Sequence, residues 1–249
     1  MRIKEEDDMK KILKGFTLAE VLVTLSIVGV IAALTLPSLS LNVQKQQIGP
    51  ALAKAINTLE YANKLALEQN QVRRLSDLVV SVDSGLTDEE KQKKLSESYL
   101  DDVLVPYMKL YKLSKQISYV GAINAPGVSI QKATDVYSTP DNIFYMVQAS
   151  YVRNGISLFV DVNGSKGPNL AGRDLLALWV YDDGGVVARG GRAFTMRQFS
   201  SGSLDDLLVE GRVDNPNLTY SEQRCNDTKI TSWLDCAGRI ADNNYQVDY

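Results

Sequence analysis

The sequence predicts an α+β chain, with a long N-terminal helix whose first half is apolar enough to span a membrane and a globular head carrying an antiparallel β-sheet. Three observations predict it. Phe16 to Leu36 is an apolar run in which Glu20 is the only ionisable residue; Leu52, Ala55, Ile56, Leu59, Ala62 and Ala66 recur at helical spacing; and from Ile143 the pattern shifts toward period two. At the helical rise of about 1.5 Å per residue the first run covers about 30 Å, the thickness of a bilayer's hydrocarbon core.

Glu20 sits about one turn inside that run, where an unpaired carboxylate costs about 2.5 kcal/mol or more on insertion scales. It therefore needs a partner. The hexapeptide Gly15-Phe16-Thr17-Leu18-Ala19-Glu20, behind a short charged leader and ahead of the apolar run, resembles the processing motif of type IV pilins and type II secretion pseudopilins. The resemblance is close from Lys14 to Gln47, including Gly29 and Pro37 where pilins often carry Gly and Pro; beyond that it is one of overall plan.

The resemblance implies cleavage after Gly15 by a prepilin peptidase and methylation of the new amino terminus on Phe16. It implies that the Glu20 carboxylate meets the free amine of a neighbouring subunit in a filament. An opposite charge a few Å away would then offset the cost of the buried carboxylate and penalise wrong registers. The partners implied are other pilin-like subunits, the peptidase, an inner-membrane platform protein and an assembly ATPase.

On this reading residues 1–15 are a cytoplasmic leader, 16–36 the membrane and filament-core helix, 37–72 its continuation, and 73–249 a pilin-like head. No small-residue cleavage site follows the apolar run, which separates it from a secretory signal peptide. Lys10, Lys11 and Lys14 flank its amino end and place the N-terminus in the cytoplasm and the rest outside an inner membrane, in the periplasm or an extracellular filament. Loss of the leader removes five cations (Arg2, Lys4, Lys10, Lys11, Lys14) and four anions (Glu5, Glu6, Asp7, Asp8), taking the net side-chain charge from −3 to −4. That balance argues against nucleic acid as a partner. In an exported, oxidising setting Cys225 and Cys236 most simply form one disulfide, since two thiolates in a chain without histidine fall short of a zinc set.

After Pro37 the helical pattern continues, bent near Pro37 and again at Pro50, or else divided into two helices with Pro50 in a first turn. Thr87-Asp88-Glu89-Glu90 opens a short helix with a capping box, and an amphipathic pattern runs on from Leu100 to Tyr111, interrupted by Pro106. The apolar runs beginning at Phe144, Ile156, Leu176 and Val186 are separated by Asn154-Gly155, Asn163-Gly164 and Asp182-Asp183-Gly184-Gly185, which is the turn chemistry of an antiparallel meander. Phe194 to Asn217 follows no regular pattern. Ile230, Trp233, Leu234, Ala237 and Ile240 then mark a last helix, capped by Asp227 or Thr228, and Cys236 lies in it.

Oxygen donors at Asp161, Asn163 and Ser165, with Asp174 downstream, resemble the opening of a calcium loop. The misplaced Gly167, the Lys166 cation and Gly172 at the twelfth position favour a tight structural loop over calcium. Catalysis has little support without histidine, and Gly190-Gly191-Arg192 lacks the Lys-Ser/Thr of a phosphate loop. No catalytic residue, cofactor or metal is assigned. The sequence thus reads as a structural pilus or pseudopilus subunit, not an enzyme. The size of its head favours a minor one. The rival is a single-pass anchored extracytoplasmic binding domain that does not polymerise.

Overall fold

A computed structural model describes residues 16–79, 85–113, 117–122, 125–133, 136–148, 155–167, 169–194, 225 and 232–249. The chain divides into two compact units, Met1–Gln44 and Lys45–Tyr249. Helix α1, Leu18–Gln69, is helical throughout its 52 residues, with no break at Pro37 or Pro50, so the two-helix alternative is not adopted. Pro50 leaves the Gln46 carbonyl without its amide donor, but both residues are exposed and water can take the donor's place.

In the second unit α1 buries Leu52, Ala55, Ile56, Leu59, Ala62, Ala66 and Leu67. Asn63 is also fully buried on this face, and it is satisfied there: its amide donates to the Gly184 carbonyl at 3.1 Å and its Oδ1 accepts from the Tyr99 hydroxyl at 2.9 Å. A buried amide left without these partners would cost about 1–3 kcal/mol, so the pair of bonds fixes how the helix seats on the head.

Helix α2, Asp88–Ser98, starts as expected: the Thr87 amide and hydroxyl both donate to the Glu90 carboxylate, and the Glu90 amide donates back to Thr87 Oγ1. A π-helical turn, Tyr99–Leu104, follows and buries Tyr99, Leu100, Val103 and Leu104. The sequence expectation of helical pattern up to Tyr111 is corrected here. The chain turns around Pro106, which has no amide to continue the ladder, and Tyr111 already belongs to a strand.

The strands are β1 (Tyr111–Leu113), β2 (Ile117–Ala122), β3 (Ala125–Ala133), β4 (Val136–Ser138), β5 (Phe144–Gln148), β6 (Gly155–Asp161), β7 (Leu175–Tyr181) and β8 (Val186–Ala188). Six form one antiparallel sheet in the order β1-β4-β5-β6-β7-β8, and β2 and β3 form a separate antiparallel pair. The four runs read from sequence are β5 to β8. The strands before Ile143 carry too much Gly, Ser, Gln and Lys, and in β3 a Pro, to show alternation.

Every residue of β6 is buried because the sheet is covered on both faces. On one face Leu158, Val160, Leu176, Leu178 and Val180 share a core with the α1 stripe; on the other Phe144, Met146, Phe159, Leu175 and Ala177 pack with Trp233 and the Cys225 and Cys236 side chains. The second layer is supplied by a 3-10 turn, Ser232–Asp235, and helix α3, Cys236–Asp242. The residue at the N-cap of α3 is Asp235, in place of the expected Asp227 or Thr228, which lie outside the described residues.

Candidate functional site

Leu18–Leu36 is the stretch of α1 long and apolar enough to cross a membrane, with none of its residues buried in the protein. Its few hydroxyls are satisfied within the helix: Thr24 donates to the Glu20 and Val21 carbonyls at 2.9 Å, Ser26 to Leu22 at 2.8 Å and Thr35 to Ile31 at 2.9 Å. Such back-bonding removes the polar penalty these side chains would carry in lipid. Phe16 precedes the helix and is 87% exposed, while Gly15 lies outside the described residues.

Glu20 is in the first turn, and sequence reasoning missed its local partner. Thr17 is the N-cap, since its carbonyl accepts the first helical bond from the Val21 amide at 3.2 Å. Its amide and its hydroxyl each donate to Glu20 Oε2 at 2.9 Å, and the Glu20 amide donates to Thr17 Oγ1 at 3.3 Å. The signal was present: Thr-x-x-Glu before an apolar run is the same capping box that marks Thr87 and Glu90.

Cys225 and Cys236 are joined in a disulfide, as expected, and both are buried beneath the sheet beside Trp233, whose ring centroid lies 5.4 Å from that of Phe159. The bond closes a loop of sequence separation 11, and opening it in a Cys225→Ser, Cys236→Ser variant is expected to destabilise the head by about 3 kcal/mol. Urea unfolding monitored by tryptophan fluorescence checks this, and an unchanged midpoint would contradict it.

The structure brings Asp161, Asn163 and Asp174 together. Asp161 Oδ1 accepts from the Asn163 and Gly164 amides at 3.1 and 2.8 Å; Asp174 accepts from the Asn169 and Leu170 amides at 2.7 and 2.6 Å, with the Asn163 side chain at 3.4 Å. Both carboxylates are fully buried and are used to hold the loop's own backbone. Among the described residues no group of three or more His, Cys, Asp or Glu is placed to hold a metal ion. Burial pushes the Asp174 carboxyl above its ordinary 3.8 despite the amides that oppose the shift. A raised folded-state value means the native state holds this proton more tightly than the unfolded chain, so its contribution is present below 3.8 and is lost as pH rises through the folded value. The stability of the parent relative to Asp174→Asn is therefore expected to fall with rising pH across that window; a difference that is flat or rises would contradict it.

Comparison with known proteins places one finding on this geometry. Residues 13–36 match the family model described as the prokaryotic N-terminal methylation motif. Neither a curated protein nor a solved structure matches the chain.

Proposed function

We propose that this chain, which carries the methylation motif that is the hallmark of type IV pilins and pseudopilins, is a structural filament subunit. It is made as a precursor, cleaved between Gly15 and Phe16 by a prepilin peptidase, held in the inner membrane by Phe16 to Leu36, and polymerised through that helix. The observation that carries the reading is the match over residues 13–36, in which Glu20 is the only ionisable residue from Phe16 to Leu36 and lies in the first turn of α1.

The work of such a subunit is mechanical. Apolar packing between the N-terminal helices of many copies supplies the cohesion, and pairing of Glu20 with the amine of a neighbouring Phe16 sets the register. A platform protein and an assembly ATPase would extract the subunit from the bilayer, since nothing in an apolar helix favours leaving lipid. The large α+β head, stapled by its disulfide, suits a minor subunit exposed outside the membrane.

Mass spectrometry of the amino terminus of the membrane-purified protein tests the processing step. A mature chain beginning at Phe16, heavier by one methyl group, is expected. A chain that retains Met1, or one trimmed at another bond, rejects the reading.

A further inference from the structure

We propose that Thr17 is a positioning residue for assembly: it holds Glu20 Oε2 within its own subunit and leaves Oε1 as the acceptor presented to the amine of a second copy. The inference rests on the proposed filament function and adds to it a residue and an atom-level division of labour. Both bonds from Thr17, from its amide and from its hydroxyl, go to the same carboxylate oxygen, Oε2, at 2.9 Å. The return bond from the Glu20 amide to Thr17 Oγ1 fixes the hydroxyl, so that its one proton is directed at Oε2. Among the described residues no hydrogen bond to Oε1 is made.

This arrangement has two consequences. Before assembly the carboxylate is not left bare in the membrane, because two donors on its own helix start partly replace the water it has lost. On assembly the carboxylate need not give up those donors, since one carboxylate has about four acceptor positions and an incoming ammonium can take those on Oε1. The amine of a neighbour then meets a carboxylate whose rotamer is already set, and the ordering cost of that side chain is not charged to the contact. Phe16 and Thr17 precede the helix, and the box runs from Thr17 to Glu20.

The test uses the full chain expressed with its processing and assembly machinery, with Thr17→Val and Thr17→Ser variants. Valine keeps the shape and the amide but removes the hydroxyl; serine restores it. Two quantities are read: the fraction of mature subunit in sheared filaments, and the infrared carboxylate stretch of Glu20 in membranes containing unassembled subunit, isolated by difference against Glu20→Gln in 13C-glutamate-labelled protein. Thr17→Val is expected to shift that band and to lower the filament fraction about fivefold, the scale of a lost N-cap, while Thr17→Ser restores both. A band that Thr17→Val leaves in place, or a filament loss that Thr17→Ser does not repair, overturns the positioning role and leaves the filament reading intact. Parent protein that is processed yet forms no filament overturns both.

Discussion

Replacing Gly238 by Ala is expected to lower the melting temperature of the head by about 10 °C. A Cβ built at Gly238 would lie 1.9 Å from the Gly191 amide nitrogen, 2.4 Å from the Gly190 carbonyl carbon and 2.5 Å from the Gly191 Cα. All three are backbone atoms, and Gly190 is held in the left-handed region at φ +80°, so the neighbour has no soft coordinate by which to retreat. To make room α3 must lift from the turn after β8. That breaks the bond from the Gly238 amide to the Arg189 carbonyl and the capping of the Arg192 amide by Asp242, and it opens the packing around Ala237 and Ile240. Overpacking and two lost bonds together cost about 3–4 kcal/mol, which for a unit of this size is a shift of about 10 °C. Near-ultraviolet circular dichroism of the full chain in detergent follows the melt through Trp179 and Trp233. Gly85, where a Cβ meets nothing within 4 Å, supplies the control, and its alanine variant should melt with the parent. A Gly238→Ala protein that also melts with the parent would show that α3 is not held this closely.

The same contact explains what could and could not be read from the chain. The long helix was legible because its apolar run, Phe16 to Leu36, and its helical period, Leu52 to Ala66, are both local patterns. Strands β5 to β8 were legible because a sheet buried on both faces writes itself as nearly continuous apolar runs, such as Ile156 to Val160 with Ser157 as its one polar residue and Leu175 to Val180. Gly190 and Gly191 stood out only as a failed phosphate loop and Gly238 not at all, since their meaning depends on a contact between segments almost fifty residues apart. Strands β1 to β4 were missed because β1 and β4 are only three residues long and β2 and β3 carry Gly, Ser, Gln, Lys and a Pro that hide any alternation.

At the candidate site the position and type of Glu20 were legible, because an acid in an apolar helix is conspicuous in any sequence. Its bond to Thr17 is also written in the sequence, as the Thr-x-x-Glu spacing of a capping box, but the family resemblance points to a second molecule as the partner of the carboxylate. Asp161 and Asp174 illustrate the opposite difficulty. Alternating oxygen donors are equally the signature of a cation loop and of a turn that satisfies its own amides, and the 2.6–2.8 Å contacts that the Gly164, Asn169 and Leu170 amides make to them are not written in the spacing.

Glu20→Gln is expected to reduce filament formation by about a hundredfold or more while the head still folds. Glutamine keeps the length of Glu20 and offers its amide oxygen as acceptor to Thr17, and a Thr-x-x-Gln capping box remains feasible, so the start of α1 is preserved. What disappears is the charge. An ion pair at 4 Å in surroundings of effective dielectric near 20 gains about 4 kcal/mol, of which desolvation returns a part, and about 2.7 kcal/mol already corresponds to two powers of ten. Without the carboxylate, the ammonium of a neighbouring Phe16 would also be buried unpaired, and removal of one partner from a buried pair costs more than the pair itself contributes. Membrane insertion should be undiminished, because a neutral side chain crosses lipid more readily than a carboxylate. The variant is thus expected to accumulate as processed, membrane-resident subunit with an unaltered head melting temperature and little material in the sheared fraction. An anchored domain that never polymerises would give the same membrane level for both proteins and no filament from either. Filaments of normal yield from Glu20→Gln would mean that register is set by packing of the apolar faces alone.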